Sequence, residues 1–572
     1  MAHISSSGDA GRLLPVEIDE IARNDPQRPW ASIPMTDNDL SRGYEDISYE
    51  VLANAINKLA WIIDSAIGQS TSFESMAYLG ITDLRYHMMQ MAACKTGHQV
   101  LFSSHLNSLQ LHLSLMERLN CGSLFYSEDM QVDDILTARS MTHIQIPTLD
   151  ELINIKDRAK WYPYTKTYEE VAQGPYLTLH TSGTTGTPKL LIFNHEIIRN
   201  ALSQNSLPDV EGRSHVRGLM NPGLGTRFLM PTSPFHVISS VIGMCFTVFG
   251  GGVLVLPYRS RGMSVTDPIF EVFTYSRVKQ AIMMPYTLEA VAQKPNPEDY
   301  IKIFERAYFG GGELSPLARE TWAKYTRIQN CWGSSELGFP PQLEADPEDS
   351  EYVYFDMEHS GIEFREIQMG DSADDVGPEK LYEMVHVWSP KTGKYSTHFA
   401  RERAITGSEP PYQDFHVGDL WTPHPDRNKS GYVWRFAGRK DDLITLGTGL
   451  NVRTAAVEEA LLAHDQVKGA IMVGNKRLQP LVVLELVHGT PQEAAHMIWK
   501  SVIEPLNAKA QSHARIASTH ILVVPAGGLV RTPKGTISKV KSERKLSKEI
   551  EEVYWRCGDV WQADGRPNEN TV

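Results

Sequence analysis

Apolar positions along this chain switch repeatedly between two spacings. Within residues 50–63, Val51, Leu52, Ala55, Leu59 and Ala60 recur at helical intervals. Gln99, Val100, Leu101 and Phe102 then read as a short strand, followed by a leucine-rich helical stretch at 106–119. Further strands are predicted at 176–180, 252–256, 280–284 and 306–309. This alternation predicts a layered α/β architecture, with helices packed outside sheets, rather than a sandwich or a bundle. The most apolar stretch, 237–257, contains Ser239, Ser240 and several glycines, so it reads as a buried helix, turn and strand and not as a lipid-exposed span. Polar stretches with Gly, Pro and Asp at 371–380 and 423–431 are expected as surface loops.

A predicted strand at 431–437 runs into Gly438, Arg439, Lys440, Asp441 and Asp442, where charge beside glycine suits a solvated hinge. Beyond it, a helix at 457–463, strands at 469–473 and 480–486 and a helix at 491–506 suffice for a compact α+β unit. The expected organisation is a large N-terminal core over 1–437 and a small mobile domain over 438–572, hinged near 439–441. The tail at 539–555 is charged and helical in pattern, and 562–572 is expected to fray.

Composition narrows the partners. A chain of 572 residues has room for more than one core, and a formal charge of -14 offers no net pull toward DNA or RNA. Cys94, Cys121, Cys245, Cys331 and Cys557 have neither metal-ligand nor disulfide spacing, which suits a reducing compartment. The first residues lack the basic segment and apolar run of a secretory signal. A cytoplasmic protein without a membrane span, monomeric or weakly oligomeric, is expected.

The chemistry concentrates where a predicted strand ends. Thr181, Ser182, Gly183, Thr184, Thr185, Gly186, Thr187 and Pro188 lead to Lys189, combining flexible backbone, five hydroxyls and one ammonium. Glycines let successive N–H groups turn toward an anion, hydroxyls add rotatable donors and the lysine adds mobile charge. The loop therefore suits phosphate, with ATP the obvious ligand. It is not the G-x-x-x-x-G-K-[ST] loop, because Lys189 follows Pro188 and precedes Leu190. Read alone, a Ser/Thr/Gly surface turn competes with it.

Taken with the segments Gly310-Gly311-Gly312-Glu313, Asn330-Cys331-Trp332-Gly333-Ser334-Ser335-Glu336, Gly418-Asp419 and Gly438-Arg439, this loop resembles the adenylate-forming superfamily. That superfamily comprises acyl-CoA synthetases, nonribosomal peptide synthetase adenylation domains and luciferases. The details are most similar to adenylation domains of fungal synthetase-like proteins and carboxylate reductases.

The resemblance implies ATP and Mg²⁺ as cofactors. Thr181 to Lys189 would grip the β- and γ-phosphates while a carboxylate attacks the α-phosphorus. Asn330, Cys331, Trp332, Gly333 and Ser334 would border the nucleotide, with Trp332 against adenine. Ser335 would stand near the α-phosphate or acyl carboxylate, and Glu336 would ligate Mg²⁺. Gly311, Gly312 and Glu313 would line the adenine and acyl pocket, Asp419 the ribose hydroxyls, Arg439 the ribose or phosphate, and Asp441 the hinge. The competing structural readings are Trp332 as core packing, Glu336 as a helix-start carboxylate and Gly418-Asp419 as a turn.

The terminal segment Arg531-Thr532-Pro533-Lys534-Gly535-Thr536-Ile537-Ser538-Lys539 has Gly-Thr where much of the superfamily has Gly-Lys. Lys534 is accordingly assigned as the lysine bridging carboxylate and α-phosphate, with Lys539 in reserve. Thr445 and the pair Leu450-Asn451 also depart from common residues, which bears on thiol transfer more than on adenylation.

Phe235 is followed by His236, where amino-acid-activating domains commonly place aspartate. An α-ammonium would lack its counter-charge, so an aryl, aryl-pyruvic or modest aliphatic acid is expected. His236 resembles the gate of the acyl pocket; a hydrogen-bonded core histidine is the competing reading. Candidate walls are Val237, Ser240, Met283, Met284, Pro285 and Cys331. The implied reaction is acyl-AMP formation with pyrophosphate release, then transfer to the phosphopantetheine thiol of a carrier domain. A stand-alone acyl-CoA ligase, an amide-forming adenylating enzyme and a non-catalytic nucleotide-binding scaffold remain alternatives.

Overall fold

The computed structural model describes residues 11–180, 189–216, 221–259, 269–367, 380–440, 443–447, 450–487, 491–508, 510, 512–531 and 537–557. Two sheets of mainly parallel strands form the body of the N-terminal part. One runs in spatial order Thr142–Gln145, Ser123–Tyr126, Ser75–Leu79, Gln99–Phe102, Pro175–His180 and Leu190–Asn194. Only its last pair is antiparallel. The other has the order Arg327–Asn330, Arg306–Phe309, Gln280–Met283, Arg227–Leu229, Val253–Val255, Pro29–Pro34 and Tyr44–Ser48, again parallel except for the final pair.

Helices Tyr49–Ile67 and Arg85–Lys95 share one core with both sheets: Met76, Phe102 and Leu177 come from one, Trp30, Phe228 and Leu254 from the other, and Ile56 and Met89 from the helices. Tyr49–Ile67 starts at Ser48, whose side chain accepts from the Val51 N–H and satisfies an otherwise orphan donor. Arg85–Lys95 is buried all round, so it lacks an apolar stripe despite lying at the centre. Its charged groups are paired: Arg85 with Asp83 and Glu128, and Lys95 with Asp19 and Asn57.

A third sheet was not foreseen as a separate layer. It is antiparallel throughout, in the order Gln342–Leu343, Val353–Phe355, Val433–Arg439, Phe415–Pro423, Leu381–His386 and Ile362–Ile367. Trp421, Trp434, Phe355 and Phe364 fill its core. The strand expected at 431–437 continues through Gly438 and Arg439, which pair with Leu420 and Asp419. Ladder pairing extends it into the charged segment.

The C-terminal part is a small α+β unit with its own apolar clusters. Val467–Val473, Leu481–Leu486 and Ile521–Val524 form a three-stranded sheet, antiparallel then parallel. The helix expected at 491–506 is α-helical over Pro491–Ile498, π-helical over Trp499–Ile503 and α-helical again over Glu504–Asn507. The architecture is a large α/β core followed by a small α+β domain. Among the described residues no helix is long and apolar enough to cross a membrane.

Candidate active site

The site gathers at the carboxyl ends of the parallel strands, where the polypeptide leaves the sheet and backbone groups become free to meet a ligand. Gly310, Gly311 and Gly312 follow Arg306–Phe309. A Cβ on Gly310 would stand 2.4 Å from the Cys331 carbonyl oxygen, so the two strand ends approach only because no side chain is present. Gly311 has φ +80°, a left-handed conformation that glycine adopts without strain.

The next strand, Arg327–Asn330, delivers the second segment. The Cys331 N–H donates to the Phe309 carbonyl at 2.8 Å, and burial pushes the Cys331 thiol up, so it stays a neutral wall group. Asn330 donates its amide to the Glu351 carbonyl. Ser334 and Gly338 exchange backbone hydrogen bonds of 3.1 and 2.7 Å, which closes a tight loop and projects Ser335 and Glu336 from its tip. Lys189, immediately beyond the predicted phosphate loop, brings its ammonium within 3.8 Å of the Glu336 carboxylate. Both remain partly exposed, at 65% and 30% of the side chain. Thr181, Ser182, Gly183, Thr184, Thr185 and Gly186 lie outside the described residues, as do Asp441 and Lys534.

Trp332 is only 9% exposed and packs edge-on to Phe355 and Trp421. Its indole N–H donates to Asp419 Oδ2 at 2.9 Å, and Arg439 Nη1 donates to Asp419 Oδ1 at 2.5 Å. Desolvation raises the Asp419 pKa above the ordinary carboxylate value, while Arg439 and Trp332 pull it down. Trp332 thus packs against the third sheet and orients the acid. Carboxylate oxygens carry two lone pairs each, so Asp419 retains acceptor capacity for hydroxyls. Burial likewise raises the pKa of Glu313, with Glu459 adding to the effect.

Beside these groups lies a cavity of about 240 Å³. Its walls include His236, Val237, Met283, Met284 and Cys331 from the expected set, and Gly311, Gly333, Ser334 and Ser335 border it. Val237 leads into a π-helical turn, Ile238–Ile242. A π-turn leaves carbonyls to be satisfied from outside, and here the buried helix Arg85–Lys95 does so. His87 Nε2 lies 3.0 Å from the Ser239 carbonyl, and Gln90 Nε2 donates to that of Ser240 at 3.1 Å. His236 is anchored at the turn's start, its ring Nδ1 accepting from the Ile238 N–H.

The same cavity is lined by residues that sequence reasoning missed. Phe193, Ile197 and Gln204 come from the chain after Lys189, Thr232 precedes His236, and Arg401 comes from helix Thr397–Thr406. None stands in a recognisable motif; tertiary packing of one helix on another brings them together.

Among the described residues no three His, Cys, Asp or Glu side chains group as a metal site. Glu336 offers one hard carboxylate oxygen pair beside a lysine, which fits a Mg²⁺ ion that takes its remaining ligands from phosphates and water.

This arrangement has relatives. Residues 19–353 match the AMP-binding enzyme family, and residues 441–557 match the AMP-binding enzyme C-terminal domain. The chain belongs to the AMP-binding enzyme family. Its relatives include a carboxylic acid reductase of Neurospora crassa, 27% identical over 555 residues, covering 95% of this chain and 50% of the relative. An isocyanide synthase–NRPS hybrid of Aspergillus fumigatus is 25% identical over 561 residues, covering 95% of this chain and 33% of that protein. The chain thus spans half or less of these relatives. In fold it is similar to the O-succinylbenzoate coenzyme A synthetase of Bacillus subtilis in complex with AMP, at TM-score 0.64, 17% identity and coverage of 93% and 98% of the two chains.

Proposed function

We propose that this AMP-binding family member activates a carboxylic acid without an α-amine as its acyl-adenylate, releasing pyrophosphate, and passes the acyl group to a thiol. The observation that carries the reading is the apolar cavity bordered by Ser334 and Ser335, with Glu336 and Lys189 beside it. A carboxylate held there has its body in the cavity and its head toward the groups that handle phosphate.

In this reading Thr181, Ser182, Gly183, Thr184, Thr185, Gly186 and Lys189 hold the β- and γ-phosphates and stabilise the departing pyrophosphate. Glu336 holds Mg²⁺, which when bound neutralises charge on phosphoryl oxygens. Asp419 accepts from the ribose hydroxyls and Arg439 stands beside it. Gly311, Gly312 and Glu313, with Asn330, Cys331, Trp332, Gly333 and Ser334, frame the nucleotide. Ser335 lies near the reacting carboxylate and His236 closes the acyl pocket. Lys534, between the bridged residues Arg531 and Ile537, compensates the two anions as they approach. Rotation of the small domain about Asp441 exchanges Lys534 for the thiol.

No acidic side chain lines the cavity among the described residues, so a substrate ammonium would lack a partner there. The acceptor proposed is the phosphopantetheine thiol of a carrier domain, supported by relatives that include a carboxylic acid reductase and an NRPS hybrid. The test is a carboxylic-acid panel scored by acid-dependent ATP–pyrophosphate exchange, followed by mass analysis with carrier protein, CoA or amine supplied separately. Exchange with acids lacking an α-amine, and loading of the carrier, support the reading. Exchange confined to amino acids overturns the substrate class, and transfer only to CoA or amine overturns the acceptor.

A further inference from the structure

One cation on the cavity wall has no assigned task in that reaction. Arg401 is 5% exposed. Its Nε donates to the Ile192 carbonyl at 3.1 Å and its Nη1 to the carbonyl of Glu336, while Cζ sits 4.9 Å from the Phe193 ring centre. Both acceptors are neutral. Among the described residues Arg401 forms no ion pair with a carboxylate, and its Nη2 has no hydrogen-bond acceptor. Guanidinium carries five N–H donors in a fixed fork, so two carbonyls leave it under-satisfied.

Its surroundings sharpen the point. The neighbouring walls are Phe193, Ile197, Ile198, Val241 and Phe339, and no acid joins them among the described residues. An arginine stays cationic at neutral pH even when buried, and the charge that attracts it among the described residues is the Glu336 carboxylate, with which it forms no direct ion pair. Thr232, on the same cavity, has a buried Oγ1 with no hydrogen-bond partner among the described residues. Burying a cation that no carboxylate pairs directly is costly, and the cost falls when a ligand brings an anion into contact. Guanidinium is also the side chain best shaped to hold a carboxylate by two parallel bonds.

We propose that the cavity selects carboxylic acids bearing a second acceptor oxygen group, foremost a second carboxylate, which pairs with the Arg401 guanidinium. This deepens the adenylation reading above and rests on it. A purely structural Arg401, clamping the Glu336 carbonyl, would treat acids with and without that group alike.

Matched acids separate the possibilities: hexanoate against adipate, 3-phenylpropanoate against its para-carboxylate, and 3-phenylpropanoate against phenylpyruvate. The third pair distinguishes a 2-oxo group from a carboxylate as the source of the second oxygen. Each is scored by acid-dependent ATP–pyrophosphate exchange in wild type, Arg401→Gln and Arg401→Lys, with folding checked by thermal melting. The expected result is a kcat/KM at least tenfold higher for the doubly oxygenated partner in one or more pairs. Arg401→Gln should then cut that ratio by tenfold or more, and Arg401→Lys by less. The proposal is overturned if wild type exchanges but favours no second oxygen, or if the ratio survives in a folded Arg401→Gln. It is equally overturned if the variant lowers both partners equally. Should Arg401→Gln not fold, an unchanged ratio in Arg401→Lys overturns the proposal and a reduced one supports it. Absence of exchange with every acid refutes the adenylation reading itself, and this inference with it.

Discussion

The indole N–H of Trp332 donates to Asp419 across 2.9 Å, joining the motif after one parallel sheet to a strand of the antiparallel sheet. The tryptophan thereby sets the orientation of the acid proposed to hold ribose. Trp332→Phe keeps an aromatic ring against Phe355 and Trp421 but removes the donor. It is expected to raise the KM for ATP about three- to tenfold with a melting temperature within a few degrees of wild type, as loss of one net hydrogen bond of roughly 0.7–1.4 kcal/mol implies. ATP titrations of exchange activity check it; an unchanged KM removes Asp419 orientation from the account.

Glu336 is the proposed metal ligand, held by the Ser334–Gly338 backbone pair. Glu336→Gln preserves shape and removes the charge that Mg²⁺ requires. Exchange activity is expected to fall roughly 100-fold or more, as for loss of a main electrostatic stabiliser, and excess Mg²⁺ should recover part of it. A helix-start carboxylate would instead lower stability and leave exchange within threefold.

The two candidate lysines, Lys534 and Lys539, are separable by experiment. Lys539 Nζ lies 2.7 Å from Glu458 and 2.9 Å from Thr454 Oγ1, a commitment to packing within the small domain. Lys539→Ala is expected to cost about 1 kcal/mol of that domain's stability with little change in single-turnover adenylate formation. Lys534→Ala should slow adenylate formation about 100-fold while ATP affinity stays within threefold. Quenched-flow adenylate measurements distinguish them, and the reverse pattern would move the catalytic role to Lys539.

Acid should unfold the core through histidines buried without charge. Desolvation lowers the pKa values of His87 and His195 to about 4 and that of His386 to about 3. These folded values lie below the unfolded value near 6.5, so the unfolded chain takes up protons first. Stability is full above that value and is lost as pH falls toward 4, by about 2 kcal/mol per histidine at pH 5. Thermal melts at pH 7 and pH 5 should differ accordingly, and His87→Leu should shallow the difference. An equal drop in that variant removes His87 from the acid response.

Much of the chain was legible because motif residues sit where strands end. The strand at 306–309 and its glycines, the 330–336 segment and the strand, helix and turn around His236 were all readable from local pattern and turn chemistry. Arg85–Lys95 was not: Arg85, His87, Gln90 and Lys95 interrupt any apolar stripe along it, and each is buried against a specific partner. The antiparallel sheet was hidden because its strands pair across long separations, such as Val353 with Trp434. Arg401 and Thr232 escaped for the same reason, since only the packed fold brings them to one cavity. The burial of Trp332 and its bond to Asp419 come from the third sheet, which local pattern could not supply.

The central claim is that ATP is split at its α-phosphate by an organic acid. Mass spectrometry of products from protein, MgATP and a responsive acid, without any acceptor, tests it directly. The account predicts acyl-AMP together with pyrophosphate. ADP and acyl phosphate as products, or no acyl-AMP with any acid from a folded preparation, would contradict it.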